Sequence, residues 1–165
     1  MTIFIAVWDP KGGCCKTTTT INVAATAVLN HNKKVLVVAL DHAATMGKYN
    51  TEPYPFDVQI GMPDKAPQGY DLVIFDYPAG HNKALPAMIN LIVCPIIPTG
   101  EDFAVYSSYK HLIEGRNKIE VLQRVQSPTK RDKNEAFLVE QIEKNDGYVI
   151  EEVTPTMRRA SNLFT

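Results

Sequence analysis

Arginine is absent until position 116 of this 165-residue chain; all five (Arg116, Arg124, Arg131, Arg158 and Arg159) lie in the last third. The formal net charge is −1, which excludes a wholly basic nucleic-acid binder but leaves room for a local basic patch. Cysteine is scarce. Cys14 and Cys15 are adjacent and Cys94 stands alone, too few for a disulfide scaffold, and no CxxC pair or His/Cys cluster has zinc spacing. Long apolar runs are also lacking. The longest, around Leu91–Pro98, is broken by Pro95 and Pro98 and falls short of a membrane span. The opening MTIFIAVWD has neither the basic nor the apolar region of a signal peptide, so a reducing, cytoplasmic setting is expected. No internal repeat or low-complexity stretch is present.

What is there suits one domain with its own core: 45% hydrophobic residues and 21% charged ones argue against disorder. Strands are expected at Ile3–Trp8, Lys34–Leu40, Asp71–Phe75, Leu91–Ile97, Ile119–Val125 and Tyr148–Val153. Helices are expected at Thr17–Asn30, Asp102–Gly115 and Asn134–Asn145, with a short one near Lys83–Met88. His42–Gly69, with four prolines and three glycines, reads as loop with at most short elements. Strands that are apolar throughout, alternating with helices, indicate an α/β fold whose mostly parallel sheet is covered on both faces. Between Arg116 and Lys133, six basic residues meet two acidic ones, which is either a solvated surface or a phosphate-contacting patch.

The most informative segment is DPKGGCCKTTTT, Asp9–Thr20, between the first strand and the first helix. That placement is the context a phosphate-binding loop requires. Successive backbone N–H groups can curl around a polyphosphate, aided by the positive end of the helix dipole. Gly12 and Gly13 permit close approach, Lys16 suits the β and γ phosphates, Thr17 suits Mg²⁺, and Thr18 suits the α phosphate.

KGGCCKTT, Lys11–Thr18, resembles the deviant Walker A signature KGGxGKTT of the ParA/MinD ATPases, most of all the small plasmid partition proteins. VLVVALDHAAT resembles the segment whose aspartate, here Asp41, positions water. YDLVIFDYPAG resembles the Walker B segment, with Asp76 in the Mg²⁺ shell and Pro78 and Gly80 in the turn that follows. The resemblance implies a three-layer P-loop NTPase fold, ATP and Mg²⁺ as cofactors, and an ATP-closed homodimer in which Lys11 reaches the partner's phosphates. It assigns catalysis to Lys11, Lys16 and Asp41, the metal to Thr17 and Asp76, and nucleotide binding to residues Lys11–Thr18. More weakly it adds Pro128 and Thr129 near the adenine, and Arg158 and Arg159 on a DNA-binding face. It further implies non-specific DNA binding on the nucleoid, a ParB-like centromere-binding adaptor, no membrane attachment, and a role in plasmid segregation.

The departures are specific. Cys15 stands where the family has the glycine before the Walker lysine, so a Cβ is expected to strain the loop or crowd the phosphate. A helix N-terminus is expected to lower the Cys15 thiol pKa and make it modifiable. His42 and Ala43 replace Pro-Gln after Asp41, and the chain is expected to be a single domain shortened at its C-terminus. These changes keep open a nucleotide-responsive interaction protein with weak or no hydrolysis. A MinD-like membrane cycler and a metabolic P-loop enzyme fit less well. Trp8, Cys94, His31, His81 and His111 read as packing or surface residues.

Overall fold

The computed structural model describes residues 1–40, 53–97, 100–124, 135–144 and 147–153. Seven strands form one sheet: β1 (Ile3–Val7), β2 (Val35–Ala39), β3 (Asp57–Ile60), β4 (Leu72–Asp76), β5 (Leu91–Ile96), β6 (Lys118–Arg124) and β7 (Tyr148–Val153). Their order is β3-β2-β4-β1-β5-β6-β7, and every pairing is parallel. The helices are α1 (Lys16–His31), α2 (Gly100–Tyr109), continued by a 3-10 turn at Lys110–Ile113, and α3 (Glu135–Lys144).

Alternation within each strand divides the core in two. Ile5, Val7, Val35, Val37, Ile74 and Val93 pack with Ile21, Ala24, Ala25 and Ala27 of α1 on one face. Ala6, Trp8, Val38, Phe75, Ile92, Cys94 and Leu122 pack with Tyr106, Ile113 and Ile142 on the other. Because both faces are covered, all five residues of β2 are buried, which explains why its sequence runs apolar without alternation. Helix α1 stops at Asn32, which takes a left-handed φ of 50° while its N–H and that of Lys33 close back onto Val28 and Ala27.

Asp57–Ile60, a short element inside the segment expected to be mostly loop, adds to β2 as the edge strand β3; one exposed and three half-buried residues give it little apolar signal. Two sequence expectations change. No helix forms at Lys83–Met88, where the chain is irregular with a turn at Ala87–Met88. Arg116 supplies the missing order there by donating to the carbonyls of Leu85, Pro86 and Ile89. The helix expected to run to Gly115 is α at 100–109 and 3-10 only to Ile113.

Strand β1 lies between β4 and β5, so the chain leaves its C-terminal end toward β2 on one side and later returns to build β5 on the other. Such a reversal opens a crevice beyond the strand ends, and residues 8–15 occupy it.

Candidate functional site

The loop after β1 is fixed to its neighbours by backbone bonds. Trp8 N–H donates to Val93 O at 2.9 Å, Tyr77 N–H to Val7 O at 3.2 Å, and Gly80 N–H to Pro10 O at 2.8 Å. Gly12 lies against the Asp76–Gly80 turn: a Cβ there would meet Ala79 Cβ at 3.5 Å. The two motifs are therefore one packed unit, with Asp76 buried at the end of β4, in register with Val7 of β1 and Ala39 of β2.

Within the loop Asp9 is buried and its Oδ1 accepts the Lys11 N–H at 2.7 Å. Burial outweighs this bond and the nearby Lys16 charge, lifting the Asp9 pKa from 3.8 to about 6. Gly13 takes φ 80° and Cys15 φ 66°, both left-handed. The strain expected of a side chain at position 15 is thus present as a backbone conformation that glycine adopts freely. The expectation of a lowered Cys15 thiol pKa is not met. Desolvation raises it, and Lys16 only partly opposes that. The Cys14 thiol, buried and donating to Lys11 O at 3.2 Å, is pushed up to about 12.

Lys16 opens α1 and is buried. Its ammonium donates to Lys11 O at 2.6 Å and lies 3.4 Å from Cys14 Sγ, so it points into the concavity of the loop. Thr17 and Thr18 follow in the first turn of α1, Thr18 buried. Thr17 and Asp76 offer a hydroxyl and a carboxylate, hard oxygen donors of the kind Mg²⁺ takes alongside substrate phosphates. Among the described residues no cluster of three or more His, Cys, Asp or Glu side chains forms a metal cage, so a metal here would draw most of its ligands from phosphate and water.

Sequence reasoning missed two groups. Lys11 Nζ lies 2.8 Å from Glu101 Oε1 and 3.0 Å from Asp102 Oδ1, carboxylates in the first turn of α2. These bonds, with Glu101 foremost, raise the lysine's pKa. Gln123 of β6 donates to the Thr19 hydroxyl of α1 at 2.9 Å, both buried, tying the start of α1 to β6. An acidic pair opening a helix was a readable signal for the first; the second joins residues 104 positions apart and left none.

Asp41, Pro128, Thr129, Arg158 and Arg159 lie outside the described residues. The basic run Arg116–Lys133 does not form one patch over its described part, because Arg116 precedes β6 and Arg124 ends it, about 20 Å away at strand rise. Trp8 and Cys94 are fully buried in the core, while His31 and His111 are exposed.

A family model described as an AAA domain matches residues 2–54. A crystal structure from Borrelia burgdorferi B31, described as a plasmid partition protein bound to AMPPNP, superposes with a TM-score of 0.69 at 14% identity, covering 99% of this chain and 90% of that one. The fold is that of the ParA/MinD-type P-loop ATPases. MinD of Aquifex aeolicus shares this ParA/MinD fold at a TM-score of 0.67 and 19% identity, with 97% and 86% of the two chains covered. MinD of Pyrococcus horikoshii complexed with Mg-ADP gives 0.62 and 20%, with 98% and 85% covered. No curated protein matches by sequence at a significant level.

Proposed function

We propose that this protein is an ATPase that acts as a nucleotide-switched homodimer, binds DNA without sequence preference, and serves segregation of plasmid or other DNA cargo with a ParB-like adaptor. The observation that carries the reading is the buried Lys16 at the head of α1, inside a loop packed against the turn that follows Asp76. Two similar folds support the cofactors: one is bound to AMPPNP and one to Mg-ADP.

In this reading the loop N–H groups and the α1 dipole hold the triphosphate. Lys16 would exchange the Lys11 carbonyl for phosphate oxygen. Thr17 and Asp76 would hold Mg²⁺, which would supply charge neutralisation at the phosphate oxygens. Lys11 leaves Glu101 and Asp102 to complete the partner's site. Its added positive charge would stabilise the transition state, since phosphoryl transfer depends on positioning and neutralisation more than on covalent chemistry. Asp41 orients the attacking water, and Arg158 and Arg159 contribute to the DNA face. The setting is cytoplasmic and nucleoid-associated, and among the described residues no helix is long and apolar enough to cross a membrane.

Titration calorimetry with ATP tests this: saturable binding that needs Mg²⁺ is expected, and no binding with or without Mg²⁺ would overturn it. The left-handed Cys15 favours a second reading, an interaction protein that binds nucleotide with little hydrolysis. Phosphate release measured with DNA and adaptor present separates the two, because only the first predicts stimulated turnover.

A further inference from the structure

At the end of the sheet opposite the phosphate loop, Leu91 begins β5 and Lys118 begins β6. Leu91, Lys110, Arg116, Asn117 and Lys118 line an open groove of about 450 Å³ there. Its charges are unequally balanced. Lys110 is compensated by the buried Glu120, 2.8 Å from its ammonium. Arg116 spends its donors on the carbonyls of Leu85, Pro86 and Ile89, which fix the guanidinium without neutralising it. Lys118 meets no carboxylate within 4 Å among the described residues. Two half-buried cations with no carboxylate partner among the described residues therefore line one concavity beside Asn117, whose amide donates to Asn90 O at 3.4 Å.

We infer that this groove takes the phosphodiester backbone of duplex DNA. The inference rests on the DNA-binding reading above and names a surface for it. Three features select this ligand. Among the described residues that line it none is aromatic, so these offer a base nothing to stack on and suit contact with phosphate, which positions without reading sequence. The groove is open to solvent, so a polyanion can reach it. Leu91, the sole apolar residue among the described lining residues, begins a strand and gives no amphipathic face for a lipid surface. The six residues of β5 separate the groove from the phosphate-loop end of the sheet by about 20 Å, so DNA and nucleotide can be held together.

The test is fluorescence anisotropy of labelled duplexes of unrelated sequence, with and without Mg-AMPPNP, across a salt series. Full-length wild type is compared with Lys118→Gln and Asn117→Asp. Arg116 is left intact because it orders the 85–89 segment. The expected result is sequence-independent binding, a salt slope lowered by about one in Lys118→Gln, and weaker binding in Asn117→Asp. Trp8 fluorescence and AMPPNP affinity should be unchanged in both, showing that the fold and the distant loop are intact. Wild-type DNA binding that neither variant alters overturns the groove and leaves the DNA-binding reading standing. No DNA binding by wild type in either nucleotide state overturns both. A Lys118-dependent response to inorganic phosphate or to phosphatidylserine vesicles, with none to DNA, overturns the backbone assignment.

Discussion

Asp9 carries its charge where burial resists one. Below about pH 3 its carboxyl is protonated in folded and unfolded chains alike and contributes no difference. As pH rises toward 6 the unfolded chain gives up a proton that the folded chain keeps, so stability falls, and above 6 the buried charge costs about 3 kcal/mol. Asp9→Asn keeps an acceptor for the Lys11 N–H and removes the charge. It should raise the urea midpoint at pH 8 and lose that advantage below about pH 3. Cys15 is the other strained residue of the loop, at φ 66°. Cys15→Gly should stabilise the fold by about 0.5–1 kcal/mol in denaturant unfolding, the left-handed penalty less the entropy that glycine adds to the unfolded chain. It should also tighten ATP binding in calorimetry. The glycine-to-cysteine departure was readable in the sequence, but the direction of the thiol's pKa was not. A helix N-terminus suggested a lowered value; the half-buried surroundings raise it.

At the level of elements, α2 and its 3-10 continuation connect the two ends of the sheet. The first turn of α2 supplies Glu101 and Asp102 to Lys11, and the far end supplies Tyr106 and Lys110 to the buried Glu120 of β6. Tyr106 Oη donates to Glu120 Oε1 at 2.7 Å, while Oε2 of the same carboxylate has no hydrogen-bond partner among the described residues. The pair is therefore already short of donors, and Lys110→Met should destabilise the protein by about 1–3 kcal/mol in urea unfolding at neutral pH. The strands were readable where apolar residues run together, as in β2, and unreadable in β3, whose polar edge acquires its role only by pairing with β2.

For the whole molecule, the proposed switch turns on Lys11 being exchanged between carboxylates of its own chain and phosphates of a second copy. Lys11→Ala should abolish ATP-dependent dimerisation in sedimentation velocity while leaving monomer ATP binding within a few-fold of wild type. Dimerisation unchanged in that variant would count against the sandwich arrangement. The order of motifs along the chain determined the α/β class and the place of the glycine-bearing loop between strand and helix, because periodicity and glycine placement are local properties that a linear sequence carries. Tertiary structure alone decided that the Asp76 turn packs on the loop, that an acidic pair about 90 residues downstream holds Lys11, and that Arg116 lies before β6 while Arg124 lies at its far end. The reason is physical. Burial, ion pairing and strand order are set by which distant segments share a sheet, and no spacing within any one segment encodes that.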